Sequence, residues 1–275
     1  SDSDKNDWDA TFNDIPQIEI DQCEWDQIFV QSESTLNSKP TVSIYKGNKS
    51  PPQGKGREHG RSFSPDFVIV RKLVRGLTER EDFSNALYGL YFSGIPSINS
   101  FSSIIQCAQR AVVYRSLLNI QQKLAREAKE ENQTDQFPLI PMSYYSHFST
   151  LRFTPEFPFV AKIGNAEAGY GKMRFMGPES GFEDFRTMIA LHHDYCTLEP
   201  FVENREYDLR IQRIGDNVRA YRRLNSNWKG NVGTCILEEV PVSPLFQLWT
   251  DEVCKLFEGL DIFTVDAIYT SSGKY

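Results

Sequence analysis

The residues with chemistry to offer begin at Lys162, which stands alone in the apolar run Phe159-Val160-Ala161-Lys162-Ile163-Gly164. The chain then passes through Asn165-Ala166-Glu167-Ala168-Gly169-Tyr170-Gly171 to a second lysine, Lys172. Glycine tolerates positive φ and lets backbone N–H groups come close to a ligand, and concavities of such groups bind anions. The two flanking lysines add point charges suited to a polyphosphate. The stretch is not a P-loop, because Met173 follows Gly171-Lys172 where a hydroxyl for Mg2+ is required, and the G-x-G-x-x-G spacing fails as well. An ordinary β-hairpin and a nucleotide loop fit these residues about equally.

A second unusual loop, Asn225 to Gly233, sets Trp228 beside Lys229 among turn formers, the composition of a segment that closes over a ligand. Upstream of it, Asp208, Arg210 and Gln212 alternate onto one face of a strand from Tyr207 to Ile214. That face is either solvated or the floor of a cleft. Downstream, Asp266 shares a strand face with Ile262, Thr264 and Ile268. A carboxylate among apolar neighbours is costly without a partner or a metal. His192 and His193 point apart at a helix end, His59 and His147 are isolated, and no zinc spacing exists. Arg110 reads as a solvated arginine in mid-helix.

The elements around these residues follow from periodicity. Ile18 to Ile20, Thr41 to Tyr45 and Phe137 to Ile140 read as short strands, and Glu24 to Val30 as a short helix or strand. Phe67-Val68-Ile69-Val70 reads as a parallel strand covered on both faces. Thr78 and Glu81 form a capping box for a helix whose apolar stripe includes Phe83, Leu87 and Leu90, stopped by Gly94 and Pro96. Ile95 to Ile98 completes a strand–helix–strand unit. One helical stretch then runs from Asn99 and Ser100 to about Ala128. Ser180 and Glu183 cap the helix that buries Phe182, Phe185 and Ile189, a strand from Tyr195 ends in Glu199-Pro200-Phe201-Val202, and Gly215-Asp216-Asn217 is a hairpin turn. Ser243 and Pro244 open a last helix, and Asp261 to Tyr269 is the last full strand.

Across 275 residues the net charge is -7, which argues against a general nucleic-acid binder. The five dispersed cysteines read as free thiols in a reducing cytosol. No apolar run approaches the ~18 residues of a span, so membrane contact would be peripheral. The Lys46 to Ser64 stretch is a solvated loop, whose Lys46, Lys49, Lys55, Arg57 and Arg61 could touch anionic lipid.

Taken in order, several of these segments resemble the central folded region of synapsins. The resemblance runs through Ser64-Pro65-Asp66-Phe67-Val68-Ile69-Val70-Arg71, Gly94-Ile95-Pro96-Ser97-Ile98-Asn99-Ser100, Phe137-Pro138-Leu139-Ile140 and the Val160 to Lys172 loop. It continues in Glu199-Pro200-Phe201-Val202, Tyr207-Asp208-Leu209-Arg210-Ile211-Gln212, Asn227-Trp228-Lys229 and Gly259-Leu260-Asp261-Ile262. It implies an ATP-grasp-like α/β (α+β) fold, with a parallel pre-ATP-grasp domain over 1–98 and an ATP-grasp domain of antiparallel sheets and helices over 99–275. It further implies a fragment that starts after the family's first strand and stops before a return strand carrying more metal ligands.

The resemblance assigns Lys162 to the phosphate and adenine side, and Gly169, Gly171 and Lys172 to a lid over the phosphates. Glu199 and Val202 fall at the adenine hinge, Asp208 near the ribose, and Arg223 and Lys229 at the terminal phosphates. Arg110 stands where the family has a lysine followed by proline, and Asp266 where it has a metal-binding glutamate. ATP with Ca2+ or Mg2+ is the expected ligand. The expected protein is vesicle-associated and regulatory, sitting on the cytosolic face of synaptic vesicles in the presynaptic terminal. Expected partners are the vesicle membrane, actin and a second copy in a homodimer or tetramer, with no nucleic acid. ATP binding without turnover is the leading expectation, and an active carboxylate–amine ligase the alternative.

Overall fold

The structure, a computed structural model, describes residues 18–35, 38–46, 61–76, 79–130, 137–151, 156–166, 170–178, 181–225, 227–230 and 233–275. Trp8, Phe12, Lys49, Lys55, Arg57, Thr78, Gly169 and Ser180 therefore lie outside the described residues.

The amino-terminal part opens with an antiparallel sheet of β1 (Ile28–Thr35), β2 (Ser38–Lys46) and β3 (Arg61–Phe63). A parallel pair follows, β4 (Val68–Ile69) and β5 (Ser97–Ile98), joined through helix α1 (Ser84–Ser93). This is the expected strand–helix–strand unit, and Gly94 at φ 69° ends its helix. Its start differs. The helix begins at Ser84, whose amide donates to Asp82 Oδ1 at 3.0 Å, after a separate 3-10 turn over Glu79–Glu81. The parallel pair is covered on one face only, since Phe67 and Ile69 are 46% and 60% exposed. Among the described residues no second layer covers the other side of this two-stranded pair. Ile18 to Ile20 is exposed and irregular instead of a strand.

The long helical stretch is broken into α2 (Phe101–Cys107) and α3 (Arg110–Glu130). Arg110 thus opens a helix; it does not sit mid-helix. Residues 137–142 run irregularly into β6 (Ser143–Tyr145), so Phe137 to Ile140 forms no strand, although Phe137 is buried against Trp249.

The rest is built on two four-stranded sheets. The first has the order β6-β9-β7-β8, with β7 (Phe159–Ile163), β8 (Lys172–Phe175) and β9 (Cys196–Pro200). Helix α4 (Phe182–His192) packs Phe182, Phe185 and Ile189 onto Phe159, Ala161, Phe175 and Leu198. Gly181 occupies the N-cap position of that helix, one residue later than expected. The second sheet, in the order β12-β11-β10-β13, is entirely antiparallel. It contains β10 (Arg205–Ile214), β11 (Asn217–Leu224), β12 (Ile236–Val240) and β13 (Ile262–Thr270). Its Leu209, Ile211 and Ala220 bury against α3 and against α5 (Pro244–Val253). Ser243 caps α5 as expected, accepting from the Phe246 amide at 3.2 Å.

Candidate functional site: a cationic cleft

Each of the two larger sheets buries one face in a core of its own. In β7 the residues Phe159 and Ala161 are buried, which leaves Val160 and Lys162 on the other side. The same alternation in β8 puts Lys172 and Arg174 with Lys162, because Lys162 and Lys172 are cross-strand partners. Lys162 also faces Thr197 of β9, whose buried Oγ1 has no hydrogen-bond partner among the described residues. Glu199, two residues further along β9, forms a close ion pair with Lys162.

Arg110 reaches into the same region from the start of α3. It donates to the carbonyls of Asn165 at 2.6 Å, Ala166 at 2.9 Å and Gly164 at 3.4 Å. Its guanidinium therefore fixes the turn that leaves β7. Burial depresses the Lys162 ammonium below its ordinary value; Glu199 opposes the shift and Arg110 adds to it. Lys172 is depressed by burial and then by repulsion from Lys162 and Arg110, with Glu199 and Asp266 in opposition. Three cations thus act on one another around a single strand end, the electrostatics of an anion site. Gly171, at φ 63°, passes its carbonyl to the Ile163 amide at 2.9 Å and closes the hairpin.

The second sheet carries its charges in pairs. Asp208 and Arg223 are cross-strand partners, buried, with Nη2 3.3 Å from Oδ2. Arg205 approaches the other oxygen of Asp208 at 3.5 Å. Gly230 passes so close that a Cβ there would lie 2.1 Å from Asp208 Oδ2. The carboxylate expected near a ribose is thus covered by two arginines and a loop.

Asp266 is not enclosed by apolar neighbours. Its side chain is 50% exposed, and both oxygens accept from Arg210, its cross-strand partner, at 2.9 and 3.0 Å. Register between β10 and β13 creates this pair. Among the described residues no group of three or more His, Cys, Asp or Glu is placed to hold a metal ion. Val202 follows β9 partly buried, beside Phe201, whose amide donates to Pro158 O at 3.0 Å.

Asn225 and residues 227–230 lie against this sheet, with Gly230 next to Asp208 and Arg223. Asn225 Oδ1 accepts from the Asn227 amide at 2.7 Å, and Asn227 Oδ1 from the Lys229 amide at 3.0 Å. Trp228 meets Phe201 edge-on at 6.2 Å, while Arg174 of the first sheet sits 5.1 Å from Phe201 and 5.6 Å from Trp228. The Lys229 ammonium lies 5.3 Å from the Trp228 ring. Arg174, Arg205 and Thr197 are participants that residue types alone did not signal. Only strand alternation around Lys162 could have pointed to Arg174 and Thr197.

Residues 99–275 match the family model described as Synapsin, ATP binding domain, and residues 2–97 match that of the Synapsin pre-ATP-grasp domain. The chain belongs to the synapsin family. It is 30% identical to Synapsin of Drosophila melanogaster over 263 residues, 94% of this chain and 24% of that protein. This synapsin-family chain therefore spans about a quarter of its relative's length.

Among solved structures, a RiPP-associated ATP-grasp ligase of Chryseobacterium gregarium, in complex with ADP and a leader and core peptide, superposes with a TM-score of 0.55. The match is 14% identical and covers 96% of this chain and 81% of that one. The macrocyclase MdnC of Microcystis aeruginosa, bound with precursor peptide MdnA, gives 0.50 at 13% identity, over 90% and 77% of the two chains. At such identities the likeness establishes the fold, which is ATP-grasp, with a parallel pair in the amino-terminal part and antiparallel sheets beyond it.

Proposed function

We propose that the cleft between the two sheets binds ATP. On this reading the chain is the nucleotide-binding unit of a synapsin-type protein that regulates vesicle clustering and transmitter release. The observation that carries it is the convergence of Lys162, Lys172 and Arg110, whose mutual repulsion is answered locally by Glu199. A polyphosphate relieves that repulsion. Lys162 and Lys172 neutralise its charge, the buried Thr197 Oγ1 offers an unspent polar atom one rung away, and Arg110 keeps the β7 turn in place.

Phosphates bring their own divalent ion, Ca2+ or Mg2+, and no protein cage for one is part of the reading. The wider role rests on family membership. It comprises peripheral attachment to the cytosolic face of synaptic vesicles, contact with actin and assembly into dimers or tetramers. No helix among the described residues is long and apolar enough to cross a membrane.

Isothermal titration of the chain with ATP, run with Ca2+, with Mg2+ and with a chelator, tests the site. Saturable binding that Lys162→Ala abolishes supports it; equal affinity in the variant, or no binding under any condition, rejects it. One feature favours a second reading as an ATP-grasp ligase. A cavity of about 330 Å³, in the range of small-molecule sites, lies between Leu73, Val113, Met142 and Glu199. ATP consumption that requires both a carboxylate and an amine would establish that reading in its place.

A further inference from the structure

Arg205, the first residue of β10, is an arginine with only 14% of its side chain exposed, and it spends itself on backbone. Its Nη2 donates to the carbonyls of Asn225 at 2.8 Å and Asn227 at 2.7 Å, and its Nη1 to that of Trp228 at 3.1 Å. A planar guanidinium suits this task, because its donors lie in a fixed fork. The same side chain is anchored 3.5 Å from Asp208 Oδ1, and Asp208 is in turn paired with Arg223. The loop so held projects Trp228 onto Phe201, at the end of the first sheet, where Arg174 of β8 lies within 5.6 Å of the indole. A chain of contacts therefore runs from Asp208 of one sheet, through Arg205, the carbonyls of Asn225 and Asn227 and the Trp228 ring, to Phe201 and β8 of the other.

We infer that Arg205 is the positioning residue for this loop, holding Trp228 as a clasp across the mouth of the nucleotide cleft and so setting how fast nucleotide leaves. Arg205 touches no ligand in this account. It acts through the three carbonyls, and the clasp acts through the Trp228–Phe201–Arg174 contact. Holding a cover in place changes departure more than arrival, as most interface changes do. The inference rests on the ATP reading for its kinetic half. Its structural half stands without nucleotide.

The test uses the full chain with Arg205→Ala, Arg205→Lys and Trp228→Phe. Subtracting the emission of Trp228→Phe isolates Trp228 from Trp8, Trp25 and Trp249. In nucleotide-free Arg205→Ala, Trp228 emission shifts to longer wavelength and acrylamide quenches it more strongly, while Arg205→Lys lies between the variant and the native chain. With ATP bound, stopped-flow displacement gives an off-rate raised about tenfold in Arg205→Ala, roughly 1.4 kcal/mol, with the on-rate little changed.

Unaltered Trp228 quenching in a folded Arg205→Ala chain overturns the clasp, whatever ATP does. Altered quenching with an unaltered ATP off-rate overturns the control of release. If the native chain binds no ATP, the function proposed above falls, and the nucleotide-free quenching still decides whether Arg205 holds Trp228. Should Arg205→Ala fail to fold, Arg205→Lys carries both readouts, and Trp228→Leu carries the ATP off-rate.

Discussion

Lys162 and Lys172 stand directly opposite each other on the β7–β8 hairpin, both on the face away from the buried Phe159 and Ala161. Like charges in that relation weaken a sheet, and Glu199, paired with Lys162, offsets only part of that cost. Replacing Lys172 by Met should raise the stability of the nucleotide-free chain by about 0.5 kcal/mol. The same change should weaken ATP binding about tenfold, since charge-assisted hydrogen bonds are worth roughly 1.5–3 kcal/mol. Urea unfolding and calorimetry on one preparation would show the two effects with opposite sign.

The pH dependence follows from the same pair. Burial, and for Lys172 the adjacent Lys162 and Arg110, hold both ammonium groups below the ordinary 10.5. Between the depressed values and 10.5 the unfolded chain keeps protons that the folded chain has lost, so stability rises with pH through that window. A bound polyphosphate favours the charged forms. Binding should therefore take up protons there and weaken as pH climbs. Titrations in buffers of different ionisation enthalpy measure the uptake, which should shrink in Lys172→Met, whose weakened binding can still be titrated.

Arg110→Ala removes the donor for three carbonyls in the β7 turn. A loss of about 2 kcal/mol in unfolding free energy is expected, with hydrogen bonds from a charged group as the scale. Arg110→Lys should recover less than half of it, because an ammonium lacks the planar fork.

How much of this was readable in advance depended on the range of the signal. The lysines of β7 and β8 are joined by a short glycine-rich loop, so their opposition follows from local spacing. The Arg210–Asp266 pair joins strands 56 residues apart, and the register that makes it has no local cue. Asp266 therefore read as a carboxylate among apolar neighbours, in need of a partner or a metal. The break between α2 and α3 falls at Ala108 and Gln109, neither of which interrupts a helical pattern by type. Arg205 was invisible because its partners are carbonyls, and a carbonyl leaves no mark in a sequence.

Asp208→Ala would leave Arg223 and Arg205 facing each other beneath the loop with their shared carboxylate gone. Removing one partner of a buried pair costs about 3–5 kcal/mol, and thermal unfolding should show a fall of that order. Gly230→Ala attacks the same place from above, since its Cβ would meet Asp208 Oδ2 at 2.1 Å. The loop must lift to admit it, and amide exchange at residues 227–230 should accelerate while the β10–β11 ladder stays protected.

The side chain of Asn99, at the junction of the parts matched by the two family models, accepts from the amides of Asp261 and Ile262 and donates to the Ile262 carbonyl. Ser103 adds bonds to the carbonyls of Phe257 and Gly259. Both residues leave the ribosome more than 150 positions before their partners. The amino-terminal third must wait, unsealed at that seam, until the chain has been synthesised as far as β13, and any drug, chaperone or truncation that delays β13 leaves Asn99 and Ser103 without these partners.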